Sequence, residues 1–306
     1  MHATVDQGAF LEELLDHGLF VETGVQGIYA KGGRFEEVRL GLDALLTRAA
    51  ASLGAERMRF PPLLPRRQFE DTGFLSSFPH LAGTIFAFDG TEAEAALQHE
   101  RASAHEGWSE FQEMTDLVMM PAACYPVYPA IAGRGPLAEG GVFVDAGAAW
   151  VFRHEPSGDP ARLQSFHQHE LVRIGTPEAV VAWRDQWAER GLGLLRALGL
   201  DAELDRASDP FFGRAGRMLA ASQREQALKL EVLVTIAGPG PTAVASFNTH
   251  HDHFGSTCGI ELADGGVAHT ACLGFGHERI TLALLRTHGL DLERWPEAVR
   301  RELWPG

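Results

Sequence analysis

After Lys31-Gly32-Gly33, apolar residues recur at helical spacing. Val38, Leu42, Leu45, Leu46 and Ala49 share one face, and Gly54 follows as a stop. Residues 59–64 read RFPPLL, where consecutive prolines forbid helix and bias the preceding residue toward extended backbone. Residues 140–155, GGVFVDAGAAWVFRHE, are rich in Val, Phe and Trp and predict strands broken at the glycines. Thr176-Pro177-Glu178 sets an N-cap before a proline at the first helical position. Val180, Val181, Trp187, Leu194, Leu195 and Leu198 then recur on one face. LEVLVTIAG (residues 230–238) and TAVASFN (242–248) predict strands around a Gly-Pro turn. An aliphatic run at helical spacing ends the stretch ACLGFGHERITLALL, residues 271–285. Helices, then several strands, then a closing helix predict an α+β fold with a mostly antiparallel sheet.

Composition narrows the picture. The chain has 306 residues, 45% hydrophobic and 22% charged, as in ordinary globular proteins. No repeat or Ser/Pro linker divides it, so a single domain over residues 1–306 is expected. No segment approaches the ~18 uninterrupted apolar residues of a membrane span. The N-terminus carries acids and lacks the basic start of a signal peptide. Three cysteines without framework spacing point to a reducing cytoplasm. Lys and Arg total 26 against 41 acids, for a formal charge of −15. A protein that embraces a long nucleic acid usually shows a basic footprint, so extensive tRNA or DNA binding is disfavoured. No G-x-x-x-x-G-K-[ST] loop is present, and GLGLLR at Gly191 lies inside a helical pattern.

Residues 152–175, FRHEPSGDPARLQSFHQHELVRIG, carry the most chemistry. Arg153 and Glu155, two apart on a strand, would share a face. A turn-prone loop then leads to Arg162 and Phe166. Guanidinium, carboxylate and aromatic ring together suit a nucleotide. A hairpin with a solvated charged loop is the alternative on spacing alone.

This stretch resembles motif 2 of class II aminoacyl-tRNA synthetases, and GFGHERITLAL (274–284) resembles their motif 3. FPPLLPRRQFEDTGFLSSFP (60–79) resembles the seryl branch. The resemblance implies an antiparallel sheet flanked by helices, with ATP bound in a bent form. Arg153 would hold the α-phosphate, Glu155 the adenine amine and Arg279 the γ-phosphate side. Phe166 would stack under the base, and Arg162 and Leu163 would line the nucleotide. Ala243, Val244, Ala245 and Ser246, leading into Asn248, occupy a strand that faces ATP and magnesium in the family. The acidic residue often found on that strand is missing, which leaves the magnesium ligands unassigned.

Atypical seryl-tRNA synthetases of methanogens hold a zinc in the amino-acid pocket through Cys, Glu and Cys. This chain resembles them at Cys124, Glu170 and Cys272. Three protein ligands leave a fourth position open, as in a working zinc site; it would take the substrate's α-amino group. Three unrelated buried side chains are the alternative, and Cys258 matches no motif. HQHE (167–170) and THHDH (249–253) offer a competing set of metal ligands, otherwise supporting or surface residues. On a strand, His167 and His169 would face away from Glu170.

Motif 1 is reached by about residue 60, with no room before it for a tRNA-gripping arm, and no anticodon module is expected after motif 3. The pattern resembles amino acid:[carrier protein] ligases, truncated homologues of the atypical synthetases. These make an aminoacyl-adenylate of glycine or alanine and pass it to the phosphopantetheine thiol of a small carrier protein. A seryl-like tRNA synthetase and a non-catalytic paralogue sensing amino acid or ATP remain as alternatives. The resemblance also implies a homodimer through residues 60–65 and the preceding helix. Finally, GRAGRMLAASQREQALKL (213–230) predicts a helix with Arg214, Arg217, Arg224 and Lys229 against Glu225 alone. It is either a solvated face or a dock for an acidic carrier protein.

Overall fold

The computed structural model describes residues 6–209 and 211–305. Helix α1 (Gln7–Asp16) and the ribbon β1 (Phe20–Glu22), β2 (Tyr29–Lys31) precede the long helix α2 (Gly33–Ala51). Next come β3 (Glu56–Arg57), β4 (Leu63–Pro65), α3 (Arg66–Asp71), α4 (Phe74–Ser77), β5 (Thr84–Phe88) and α5 (Glu92–Ser103). Strand β6 (Gln112–Met119) and α6 (Val127–Ala132) lead to the paired long strands β7 (Val142–Phe152) and β8 (Ser165–Gly175). Helix α7 (Pro177–Ala197), β9 (Glu203–Arg206), α8 (Gly213–Glu225) and β10 (Lys229–Val234) follow. The chain closes through β11 (Thr242–His251), α9 (His253–Cys258), β12 (His269–Gly276), α10 (His277–His288) and α11 (Glu297–Leu303).

Seven strands form the central sheet in the order β3-β7-β8-β12-β11-β10-β9. Every pairing is antiparallel except β3 with β7. Helices α2, α7 and α10 cover one face and bury Trp187, Leu171, Phe247, Leu273 and Phe275 with it. The predicted α+β sheet between helices is therefore the observed architecture. Thr176 caps α7 by accepting from Ala179 N–H. The glycine inside α7 has a packing reason: a Cβ on Gly191 would lie 2.8 Å from the Phe247 ring. On the other face α6 and α9 cover only one end, where Tyr128 and Phe254 stack 4.1 Å apart. The middle of that face stays open as a floor.

Four expectations need correction. Strand β7 is continuous rather than broken at its glycines: a bulge between Asp145 and Gly147 absorbs the irregularity. Arg153 and Glu155 lie just beyond its end, in the loop rather than on the strand. Val181 faces outward, because the buried stripe of α7 runs through Val180, Arg184, Trp187 and Ala188 instead. Lys229 does not belong to the basic helix; it starts β10, buried beside Asp209 and Glu231.

Candidate active site

Alternation along the strands builds the floor. Glu170 pairs with Gly274, Gly274 with Ser246, and Ser246 with Glu231, so these four stand in one row across β8, β12, β11 and β10. Cys272 and Asn248 form the adjacent row. A cavity of about 520 Å³ lies over this floor. It is walled by the loop after β7, by α4, and by the segment from Asp209 to Lys229. Gly274 keeps the centre empty: a Cβ there would come 2.6 Å from Gln168 Nε2 and 3.1 Å from Glu170 Oε1.

One end of the cavity gathers cations and an aromatic ring. Arg153 donates through Nε to Pro121 O at 3.0 Å, and its guanidinium sits over the Phe166 ring, 5.6 Å from the centroid. Arg279 is fixed from below, donating to Ala161 O at 2.8 Å and Ala243 O at 2.9 Å. Two guanidinium groups held by neutral carbonyls rather than carboxylates keep their charge free for an anion. Glu155 accepts from Arg162 at 3.3 Å. Leu163, Ala243, Val244, Ala245 and Ser246 also line the cavity. Arg162 does not: it lines a smaller neighbouring cavity with Gln7 and Asp159, shared with Arg279 and Ala243.

The other end holds the buried trio Cys124, Glu170 and Cys272, whose donor atoms all lie within 4.8 Å of one another. Cys272 Sγ and Glu170 Oε1 are 4.0 Å apart. Burial pushes the Glu170 carboxyl and the Cys124 thiol well up, and each anion disfavours the next. Cys272 is pulled the other way, chiefly by the hydrogen bond from Cys124, helped by His250 and Asn248. His250 Nε2 and Asn248 Nδ2 each stand 3.6 Å from its sulfur. His250 Nδ1 meets Thr270 Oγ1 at 3.0 Å, so a proton on Nε2 lets the ring accept from Thr270 while donating to Cys272. Three buried anion-forming groups packed together suit a cation, and thiolates with a carboxylate suit zinc. Cys258 stands outside the trio, half-buried at the C-terminal end of α9.

Glu170 Oε2, Gln168 Oε1 and Asn248 Oδ1 are buried acceptors without a partner, all on the cavity wall. Buried polar atoms are normally satisfied, so orphans converging on a cavity mark where a polar ligand sits. Sequence reasoning missed Gln168, Asp209 and Glu231 as cavity residues, and named His250 only among the supporting or surface histidines of residues 249–253. Alternation with Glu170 could have found Gln168; the others depend on which strand pairs with which. Glu231 supplies an acid beside Ser246, one strand over from where the family places it.

The sheet, its helices and the two opposed arginines define a class II aminoacyl-tRNA synthetase catalytic fold. The seryl-tRNA synthetase of M. kandleri, solved with A. aeolicus tRNASec, matches all of this chain with a TM-score of 0.83 at 22% identity, over 62% of its own length. No family model matches the chain. Amino acid--[acyl-carrier-protein] ligase 1 of Bradyrhizobium diazoefficiens is 45% identical over 299 residues, covering 96% of this chain and 91% of that protein. Ligase 2 of the same organism is 45% identical over 290 residues, covering 94% and 86%. The chain belongs to the amino acid--[acyl-carrier-protein] ligase family and is a ligase. Among the described residues no helix is long and apolar enough to cross a membrane.

Proposed function

We propose that this enzyme activates a small amino acid, glycine or alanine, with ATP and loads it onto the phosphopantetheine thiol of a small acidic carrier protein. The observation that carries this reading is one cavity with free guanidinium groups at one end and the thiol–carboxylate trio at the other. In the first step a carboxylate oxygen of the amino acid attacks the α-phosphorus of ATP, and the bond to pyrophosphate breaks. Arg153 takes the α-phosphate and Arg279 the γ-phosphate side, stabilising charge as it develops. Phe166 stacks under adenine, Glu155 accepts from its amine, and Leu163 with residues 243–246 completes the wall. Arg162, swung out of the cavity toward Glu155, closes over the nucleotide from the loop. In the second step the thiol sulfur attacks the acyl carbon, its proton is lost, and AMP leaves with the bonding pair. No protein nucleophile is needed; positioning supplies the catalysis.

Cys124, Glu170 and Cys272 would hold one zinc, which supplies a Lewis-acid position for the substrate's α-amino group. Glu231 and Ser246 are the side chains nearest to a role in binding magnesium with ATP. The enzyme is proposed as a single catalytic domain and a homodimer of a reducing cytoplasm, with all three cysteines free. Exposed Phe86, Met114 and Leu117 on the small sheet β4-β6-β5 support a covered surface close to residues 60–65.

The test is amino-acid-dependent ATP–pyrophosphate exchange across all twenty amino acids, paired with carrier loading and tRNA charging. Exchange with glycine or alanine followed by carrier loading is expected. Charging of tRNA would instead favour the seryl-like reading, and no exchange with any amino acid would favour a sensor. Metal analysis should show zinc lost in Cys124→Ala and Cys272→Ala and kept in Cys258→Ala; zinc retained in Cys272→Ala would sink the trio.

A further inference from the structure

Behind the cavity, β8 turns its alternate residues toward α2 and α10. His169 is fully buried there. Its Nδ1 lies 2.8 Å from Asp43 Oδ1 on α2. Its Nε2 lies 3.1 Å from Asp145 Oδ1 on β7. His277, the first residue of α10, has no exposed surface, and neither ring nitrogen has a hydrogen-bond partner. One donor atom from each of Asp43, His169 and His277 falls within 4.8 Å of the other two.

We propose that Asp43, His169 and His277 form a second metal site, for a divalent transition-metal ion of zinc's kind. Two imidazoles with one carboxylate suit such an ion, whereas magnesium and calcium select all-oxygen sets. The three ligands come from three separate elements, α2, β8 and α10. If Nδ1 of His169 takes the ion, Nε2 is left facing Asp145, the usual outer carboxylate of a ligating histidine. Asp145 is itself held by Gly147 N–H at 2.7 Å and by Arg59 at 3.6 Å. Asp43 is 32% exposed, which gives the ion a way in and room for a water. A metal-free carboxylate–imidazole–carboxylate chain accounts for His169 but leaves both nitrogens of His277 unexplained.

The site is distinct from the thiol trio because residues 169 and 170 point to opposite faces of β8. Its role is structural: it pins α2 and α10 to the back of the strand that carries Glu170. The test uses the full chain with Cys124→Ser and Cys272→Ser, stripped by chelator and titrated calorimetrically with zinc alone. One equivalent should still bind and raise Tm, against two in the unsubstituted protein. Adding Asp43→Asn or His277→Gln should weaken that binding roughly tenfold or more. Asp43→Asn in the unsubstituted protein, a mild change near the surface, should lower zinc from two equivalents to one. A double-serine variant that binds no zinc overturns the proposal while leaving the thiol trio untouched. Zinc content unchanged by Asp43→Asn overturns it as well.

Discussion

Arg153 reaches the cavity from the first residue beyond β7, and Arg279 from the first turn of α10. Each is positioned by a backbone carbonyl rather than an acid. A phosphate contact tightened in the transition state contributes several kcal/mol, so Arg153→Ala and Arg279→Ala should each slow pyrophosphate exchange by about a hundredfold or more. Circular dichroism and Tm should stay close to those of the parent. Near-normal exchange in either variant would remove the phosphate roles. These two residues were legible through their motifs, as was the grouping of Cys124, Glu170 and Cys272. Gln168 was not, although it faces the cavity, and His250 stood out only as one of several histidines. A strand's alternation says which residues share a face, but only the pairing of distant strands says which face meets a ligand.

At the scale of elements, α8 and the segment before it form the cavity's outer wall. Asp209 ties them down: its N–H donates to Gln223 Oε1 at 2.7 Å, Gln223 Nε2 donates back to Oδ2 at 2.7 Å, and Lys229 binds the other oxygen. Burial alone would raise the Asp209 carboxyl, but Lys229 and Gln223 outweigh it and hold it below the ordinary value of 3.8. A depressed carboxyl stabilises the fold above the ordinary value and loses that contribution as pH falls beneath it. Protection of the α8 amides, taken relative to their intrinsic exchange rate at each pH, should therefore fall as pH drops below 3.8, and Asp209→Asn should already be poorly protected at neutral pH. Slow exchange in Asp209→Asn at pH 7 would refute the latch. Arg217 and Arg224 are exposed on the same helix, with Arg224 3.7 Å from Asp205; the Arg214 side chain lies outside the described residues. Reversing Arg217 and Arg224 to Glu should cut carrier loading and its salt dependence while sparing pyrophosphate exchange. Loading at the parental rate would move the dock elsewhere. The helix was legible from its formers, but Lys229 was not separable from it: Leu228 ends the helical loop and the next residue enters a strand.

At the scale of the molecule, the α+β architecture followed from element order, because hairpins and a closing helix leave few ways to build a sheet. The bulge that keeps β7 whole was hidden, since a glycine in a strand pattern reads equally as a break. Net charge of −15 sets the molecule against polyanions and leaves the basic helix as a local exception. Light scattering at micromolar concentration should give the mass of a dimer. A monomer there would discard the interface around residues 60–65.

Strand β8 writes two texts in alternate letters, Phe166, Gln168 and Glu170 toward the substrate and His167, His169 and Leu171 toward the helices. Substituting one letter damages one text. Inserting or deleting a single residue within it would exchange the two, sending imidazoles into the cavity and a carboxylate into the apolar layer. Length variation among descendants of this chain should therefore collect in the loop at 153–164 and spare residues 165–175, even where the letters themselves have drifted.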